Sequence, residues 1–266
     1  MSRSHSHGTS AAMRLTVIGC SGSFAGPDSA ASCYLVEAPD PVDPERTWSI
    51  LLDLGSGALG ALQRHADPDA VDAVFFSHLH PDHCLDLCGY YVLRKYHPGG
   101  ALPPIPVWGP TGVAARMARA YDLPDDPGMS LEFTFHEYAG PVEVGPFRVE
   151  PVRVAHPVPA HGVRVTAGGR TLAYTGDTGP CEALDRLADG ADLLLAEASF
   201  RDGEDNPVDL HLTGRDAGEV AARSGVPRLV LTHVPPWYAV ADMLAEASAV
   251  YDGDLTAAAP GATYDV

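Results

Sequence analysis

Apolar residues recur along this chain in two rhythms. In Arg14–Gly19 they alternate with β-branched partners, the period of a half-buried strand. Cys33–Glu37 and Trp48–Asp53 repeat that rhythm on either side of a turn rich in Pro and Asp. Val71–Ser77 is different: its run is almost unbroken and bounded by turn residues, which predicts a strand covered on both faces. Ser56 is placed to cap a helix to about His65, and helical spacing predicts further helices over Cys84–Tyr96 and Thr111–Tyr121. Strands are predicted again at Leu131–Phe135, Phe147–Val154, Gly162–Thr166 and Thr171–Thr175. A helix near Cys181–Ala188, a strand Asp192–Glu197, a helix Arg215–Ala222, a strand Arg228–Thr232 and a helix Tyr238–Val250 complete the pattern.

In each half strands come first and helices follow. No short-period repeat breaks the chain, and the Pro/Gly stretches at 98–110 and 124–128 are short enough to be loops. One domain over 14–266 is expected, with residues 1–13 as a disordered polar tail, although Met13 stands close to where structure should begin. The mixture suits an α/β (α+β) fold of two packed sheets with helices outside.

Composition narrows the function. Of 266 residues, 35 are Asp or Glu and 17 are Lys or Arg, giving a formal charge of −18. A nucleic-acid backbone is therefore not the default partner, since binding by counterion release needs a basic footprint. No apolar run reaches the ~18 residues of a membrane span. The first 13 residues lack the apolar stretch of a secretory signal, and five cysteines occur without a CxxC pair. Free thiols in a reducing cytoplasm are the expectation. His5 and His7 in the tail are read as incidental.

The chemistry is concentrated in Ser77-His78-Leu79-His80-Pro81-Asp82-His83, directly after the buried strand. Three histidines and an aspartate this close cannot all be buried without partners, which would cost several kcal/mol. Imidazole and carboxylate together suit Zn(II), and also Mn(II) or Fe(II). A loop at a strand end can turn His78 and His80 toward one ion and Asp82 and His83 toward a second; the bland alternative is a solvated polar loop. His156, Asp177 and His233 likewise stand at the ends of predicted strands. Singly, each reads as a hydrogen-bonded structural residue. Together, and in this order, they support one another.

This ordered set resembles the metallo-β-lactamase superfamily, over nearly the whole stretch from Leu15 to His233. The resemblance implies an αββα sandwich with two metal ions at one edge of the sheets. By the family pattern His78, His80 and His156 hold one ion, Asp82, His83 and His233 the other, and Asp177 bridges. Asp53 matches the early aspartate that supports the ligand loop; its bland alternative is a turn residue. The presence of Asp177 departs from the zinc β-lactamases proper. Gly19-Cys-Ser-Gly-Ser23, and Ala196-Glu-Ala-Ser-Phe200 followed by His211-Leu-Thr213, resemble the phosphodiesterase branch that includes ribonuclease Z. That likeness implies that Glu197 orients His211 and that His211 handles the phosphate, with Thr213 beside the substrate. Ribonuclease Z carries a long arm between the lone histidine and the bridging aspartate, whereas here His156 to Asp177 leaves no room for one.

A closer resemblance is to actinobacterial atypical class II cyclic-nucleotide phosphodiesterases, carried by phrases such as Gly26-Pro-Asp-Ser29, Asp82-His-Cys-Leu-Asp-Leu87 and Leu231-Thr-His-Val-Pro-Pro-Trp237. Pro81 departs from the small residue commoner at its position and is expected only to stiffen the loop. The implied activity is hydrolysis of 3′,5′-cyclic nucleotides, cyclic AMP first, to 5′-monophosphates. Two divalent ions, Zn(II) first, serve as cofactors, and Asp82 orients or deprotonates the nucleophile. Trp237, four residues after His233, is placed to line the rim; Tyr90, Tyr91, Tyr96 and Trp108 are the other candidates for a base-stacking platform, core packing being their alternative. The same metal set would also serve a ribonuclease Z-like enzyme on RNA or a lactonase or thioesterase, and a non-catalytic metal scaffold is a third class. A small-molecule phosphodiester is the expected partner, with no membrane contact and a homodimer as the family's common state.

Overall fold

The computed structural model describes residues 13–266. The expected tail otherwise lies outside the described residues; Met13, its last member, is fully buried in the core. In chain order the elements are β1 (Arg14–Ser21), β2 (Ala30–Ala31), β3 (Cys33–Pro39), β4 (Thr47–Leu52), α1 (Ala58–Leu62), β5 (Ala73–Phe75), α2 (Pro81–Cys84), α3 (Leu87–Lys95), β6 (Ile105–Gly109), α4 (Val113–Ala120) and β7 (Phe133–Glu137). The second half follows with β8 (Val142–Val144), β9 (Phe147–Arg153), β10 (His161–Ala167), β11 (Arg170–Tyr174), α5 (Ala183–Ala188), β12 (Leu193–Glu197), α6 (Gly214–Ser224), β13 (Arg228–Thr232), α7 (Val240–Ser248), β14 (Asp254–Ala257) and β15 (Thr263–Asp265).

Two mixed sheets result. One runs β15-β1-β3-β4-β5-β6-β7, with β2 beside β1; the other runs β14-β13-β12-β11-β10-β9-β8. Each is antiparallel in one half and parallel in the other: β4 to β7 are parallel in the first, β11 to β14 in the second. The amino-acid pattern explains the division. Every residue of β12 is buried, as the continuous run Leu-Leu-Leu-Ala-Glu requires of a strand covered on both faces. The antiparallel β9 instead mixes buried and exposed positions along its length. Between the sheets lies a core including Leu15, Tyr34, Ile50, Phe75, Phe147, Val163, Leu172 and Leu195. A second core joins the outer face of one sheet to α5, α6 and α7, and a third joins the other sheet to α1, α3 and α4. The expected layering of helix, sheet, sheet and helix is therefore observed.

The stretch 98–110, expected as a loop, contains β6. Its prolines hid it, because proline removes a ladder donor. Only Val107 and Trp108 pair with β5, so Pro106 falls beyond that ladder. The predicted helix Cys84–Tyr96 is broken into α2 and α3, and Pro81 does more than stiffen: it is the first residue of α2, where its missing N–H costs nothing. All five cysteines are free, as expected. Among the described residues no helix is long and apolar enough to cross a membrane.

Candidate metal centre

The C-terminal ends of the parallel strands meet at one edge of the two sheets. Asp53 follows β4, the Ser77–His83 loop follows β5, Asp177 follows β11, Glu197 ends β12 and His233 follows β13. His156 follows β9, and His211 precedes α6. Two glycines let these segments close up. A Cβ on Gly22, in the loop after β1, would sit 2.1 Å from the His233 carbonyl oxygen, and one on Gly55 would sit 1.9 Å from that of Asp82. The loop Gly19-Cys-Ser-Gly-Ser23 thus presses its backbone on a site histidine.

Nitrogen atoms of His78, His80 and His156 converge, with His78 Nε2 3.0 Å and His156 Nε2 3.3 Å from His80 Nδ1. Asp82, His83, Asp177 and His233 form a second, fully buried cluster. There His83 Nε2 lies 3.1 Å from His233 Nε2, and His233 Nε2 lies 3.2 Å from Asp82 Oδ2. Asp177 stands between the two. Its Oδ2 is 3.7 Å from His78 Nε2, and its Oδ1 is 3.2 Å from His83 Nε2.

The outer ring nitrogens explain why lone pairs face inward. Ser77 Oγ donates to Asp53 Oδ2 at 2.8 Å, so it accepts from His78 Nδ1 at 3.1 Å and leaves Nε2 bare. Ser199 Oγ donates to the His233 carbonyl at 2.8 Å and accepts from His233 Nδ1 at 2.8 Å. His156 Nδ1 donates to the Leu210 carbonyl at 3.0 Å. Asp53 is the hub on the other side. It is wholly buried and accepts from Ser77 N (2.7 Å), Ser77 Oγ (2.8 Å), His83 Nδ1 (2.8 Å) and Tyr174 Oη (2.7 Å). Asp53 and His233 both hold positive φ, 61° and 56°, a backbone strain of about 1–3 kcal/mol each that concentrates at this edge.

The electrostatics suit a cation. Burial and the neighbouring His83 push His78 well below its ordinary range, and burial also lowers His80 and His156, so these rings are neutral. In the second cluster burial acts on His83 in the same sense, but the Asp177 and Asp53 carboxylates outweigh it and push the ring well above its ordinary range. Burial would raise Asp177; His233, His83 and His78 pull it down instead. Asp177 Oδ1 is buried and makes no aligned hydrogen bond, although His83 Nε2 stands 3.2 Å away. Neutral imidazoles, two buried carboxylates and an orphaned carboxylate oxygen between two clusters are compatible with a dinuclear metal centre. The donors alone do not choose among the divalent ions.

Glu197, fully buried, accepts from His211 Nδ1 at 2.9 Å and from Thr178 N at 2.8 Å. Burial alone would lower His211, yet the Glu197 carboxylate holds it up at about 9. His211 lines a cleft of about 260 Å³ with Ser23, His80, Asp82, His156 and Asp177. Thr213 is not part of it. Its hydroxyl accepts from Asp216 N at 3.0 Å and donates to Asp216 Oδ2 at 2.7 Å, so both its hydrogen-bonding roles are spent capping α6. Trp237 is 61% exposed and packs on Phe24, ring centroids 5.1 Å apart. Phe24 follows Ser23, which lines the cleft and whose N–H donates to His233 Nε2 at 3.4 Å, so the aromatic pair is joined to the cleft through Ser23 while neither ring lines it. Tyr90 and Tyr91 are buried in the core, and Trp108 stacks on Phe75 at 4.9 Å, so none of the three is a platform; Tyr96 is exposed on the turn that ends α3. Sequence reasoning missed Ser199, Tyr174 and the Leu210 carbonyl. Ser199 and Tyr174 sit within or beside the motifs, but only the folded pairing gives them partners.

Residues 48–234 match the family profile described as the beta-lactamase superfamily domain. The uncharacterised protein Rv1339 of Mycobacterium tuberculosis is 45% identical over 266 residues, covering 98% of this chain and 94% of the relative. Ribonuclease Z of Mycobacterium bovis is 30% identical over 256 residues, covering 84% of this chain and 86% of the relative. The crystal structure of the metallo-beta-lactamase fold protein YhfI from Bacillus subtilis superposes with a TM-score of 0.83 at 26% identity, covering 96% of this chain and 99% of that one. The same YhfI is described as a probable metallo-hydrolase. With both sheets, the paired clusters and these relatives in agreement, the chain belongs to the beta-lactamase superfamily, as a metal-dependent hydrolase that fits its ribonuclease Z-like branch.

Proposed function

We propose that this protein is a dinuclear metal-dependent phosphodiesterase that hydrolyses 3′,5′-cyclic nucleotides, cyclic AMP first, to 5′-monophosphates. The observation that carries the reading is the Glu197–His211 pair beside the two clusters: a protonated imidazole, held at 2.9 Å by a buried carboxylate, lines the same cleft as Asp82 and Asp177. A cation in that place suits a phosphoryl group, whose transition state gathers negative charge on its oxygens. An acyl transition state gathers its charge on a single oxygen and so makes less use of a cation placed beside the metal clusters. The ribonuclease Z relative adds support for phosphodiester chemistry.

In this reading His78, His80 and His156 would hold one divalent ion and Asp82, His83 and His233 a second, with Asp177 available to both, and the ions would supply Lewis-acid stabilisation and lower the pKa of water. Asp82 orients the attacking water and accepts its proton. His211 places its proton on the leaving 3′ oxygen, while Glu197 fixes the ring and compensates its charge. The cleft of about 260 Å³ takes the phosphate and sugar, leaving the base to the rim, where Trp237 and Phe24 offer stacking faces. The stretch between His156 and Asp177 folds as the β10–β11 hairpin, which argues for a small substrate over transfer RNA.

The test is incubation of the purified, metal-analysed protein with 3′,5′-cyclic AMP, with the product separated by chromatography and a chelator control. Chelator-sensitive release of 5′-AMP is expected. Turnover of lactones or thioesters, with no phosphodiester cleaved, would overturn the reading.

A further inference from the structure

A second hollow, of about 370 Å³, adjoins the cleft, and the two share His80 and Pro81 as a dividing ridge. Its far wall carries Arg116 and Arg119 of α4, and no Asp or Glu lines it. That is unexpected in a chain with 35 acidic residues and 17 basic ones. Elsewhere Arg170, Arg201, Arg215 and Arg228 each bridge a carboxylate, and arginines without an ion pair, such as Arg64 and Arg153, lie outside this hollow. Among the described residues Arg116 and Arg119 make no ion pair, and three-residue spacing on α4 puts them on one helix face. Arg116 is half-buried and Arg119 exposed. The Glu137 carboxylate reaches the hollow's edge through the Gly112 N–H, at 2.7 Å, and bridges neither arginine; the two adjacent guanidiniums repel each other, and an anion between them removes that cost. Guanidinium forks match phosphate oxygens in geometry as well as charge.

We propose that this hollow is an anion subsite of the same substrate site, taking the second phosphate of a dinucleotide whose scissile phosphodiester lies across the His80–Pro81 ridge. The proposal rests on the phosphodiesterase reading and adds a substrate class to it. A cyclic mononucleotide has one phosphate and leaves the hollow empty. A linear 5′-phosphorylated dinucleotide, pApA, has its second phosphate one nucleotide away. Its hydrolysis balances with water alone: the water oxygen bonds to the scissile phosphorus, the bond from phosphorus to the 3′ oxygen breaks, that oxygen takes a proton, and two molecules of 5′-AMP result.

The experiment compares pApA, ApA lacking the 5′-phosphate, a cyclic dinucleotide and cyclic AMP on the metal-loaded full chain and on the Arg116→Gln/Arg119→Gln variant. The single Arg119→Gln variant, at an exposed position, guards against misfolding. The expected result is a preference for pApA over ApA in kcat/KM of roughly 10- to 100-fold, expressed mainly in KM. The double variant abolishes it, Arg119→Gln reduces it, and cyclic AMP turnover stays within about twofold, since that substrate makes no contact there. A comparable loss on the cyclic dinucleotide assigns the ring form as a second source of the same phosphate. Equal use of pApA and ApA by the parent protein, or a preference that survives the double variant, overturns the subsite while leaving cyclic AMP hydrolysis standing. Failure to cleave any of the four phosphodiesters overturns the reading beneath it as well.

Discussion

The cluster of His78, His80 and His156 offers three neutral ring nitrogens, and two of its members are half-exposed on the cleft. The cluster of Asp82, His83, Asp177 and His233 is entirely buried and carries two carboxylates. The first can stand without an ion, as three imidazoles in partial contact with water. The second has the greater need of positive charge, because it desolvates two carboxylates side by side, and against its burial the Asp177 and Asp53 carboxylates push His83 well above its ordinary range. Bound ions would therefore be coupled to folding more strongly in the second cluster, and the first would be the one open to exchange from the cleft. Asp177, reaching both, joins two sites of unequal strength.

Removing that joint should have the largest effect. Asp177→Asn keeps the shape and deletes the charge, so both clusters weaken together. Turnover should fall by roughly 10²–10³-fold, and metal analysis should show less than one ion per chain. Two ions retained would separate the clusters and break the comparison. Next comes Asp53→Ala. Four donors lose one buried acceptor, and a stability loss of roughly 3–5 kcal/mol is expected from the uncompensated groups. Metal affinity should drop by roughly 10–100-fold, chiefly at the buried cluster, because His83 loses its anchor while His156 keeps the Leu210 carbonyl. Denaturant melts and metal titration read the two effects separately. His156→Ala should act on the first cluster alone, giving one ion per chain, an unchanged melting curve and a turnover loss smaller than that of Asp177→Asn. Equal loss of both ions would show that exposure does not rank the sites.

Much of this centre was legible in the sequence because metal ligation constrains residue type and order locally. Ser77–His83 stands as one contiguous phrase, and the strands before it, before Asp177 and before His233 announce themselves by unbroken apolar runs. What was not legible depends on contacts across the fold. Thr213 and His211 stand two residues apart, yet His211 faces the cleft while Thr213 spends its hydroxyl on Asp216; only the start of α6 decides which. Trp108 and Trp237 are alike in one dimension, while in three the first stacks on Phe75 and the second lies exposed against Phe24. β6 escaped notice because proline argues against a strand locally, and only its partners β5 and β7 overrule it. The hub at Asp53 was visible as a residue, but its donors come from β11, from the loop after β5 and from α2.

The smallest effect should come from outside both clusters, and it sharpens the contrast between holding ions and moving protons. Glu197→Gln retains an acceptor for Thr178 N and His211 Nδ1 but removes the charge that holds His211 up at about 9. Neither cluster loses a residue, so two ions should remain bound and the melting temperature should hold. KM should be nearly unchanged, because the ring still lines the cleft. A drop in kcat of roughly 10-fold is expected, the lower end of what an orienting partner contributes. The effect should vanish in a His211→Ala background, where no ring remains to be oriented. If Glu197→Gln instead released an ion, the third grouping of Glu197, His211 and His233 would belong to the metal centre itself, and the division between the two kinds of residue would fail.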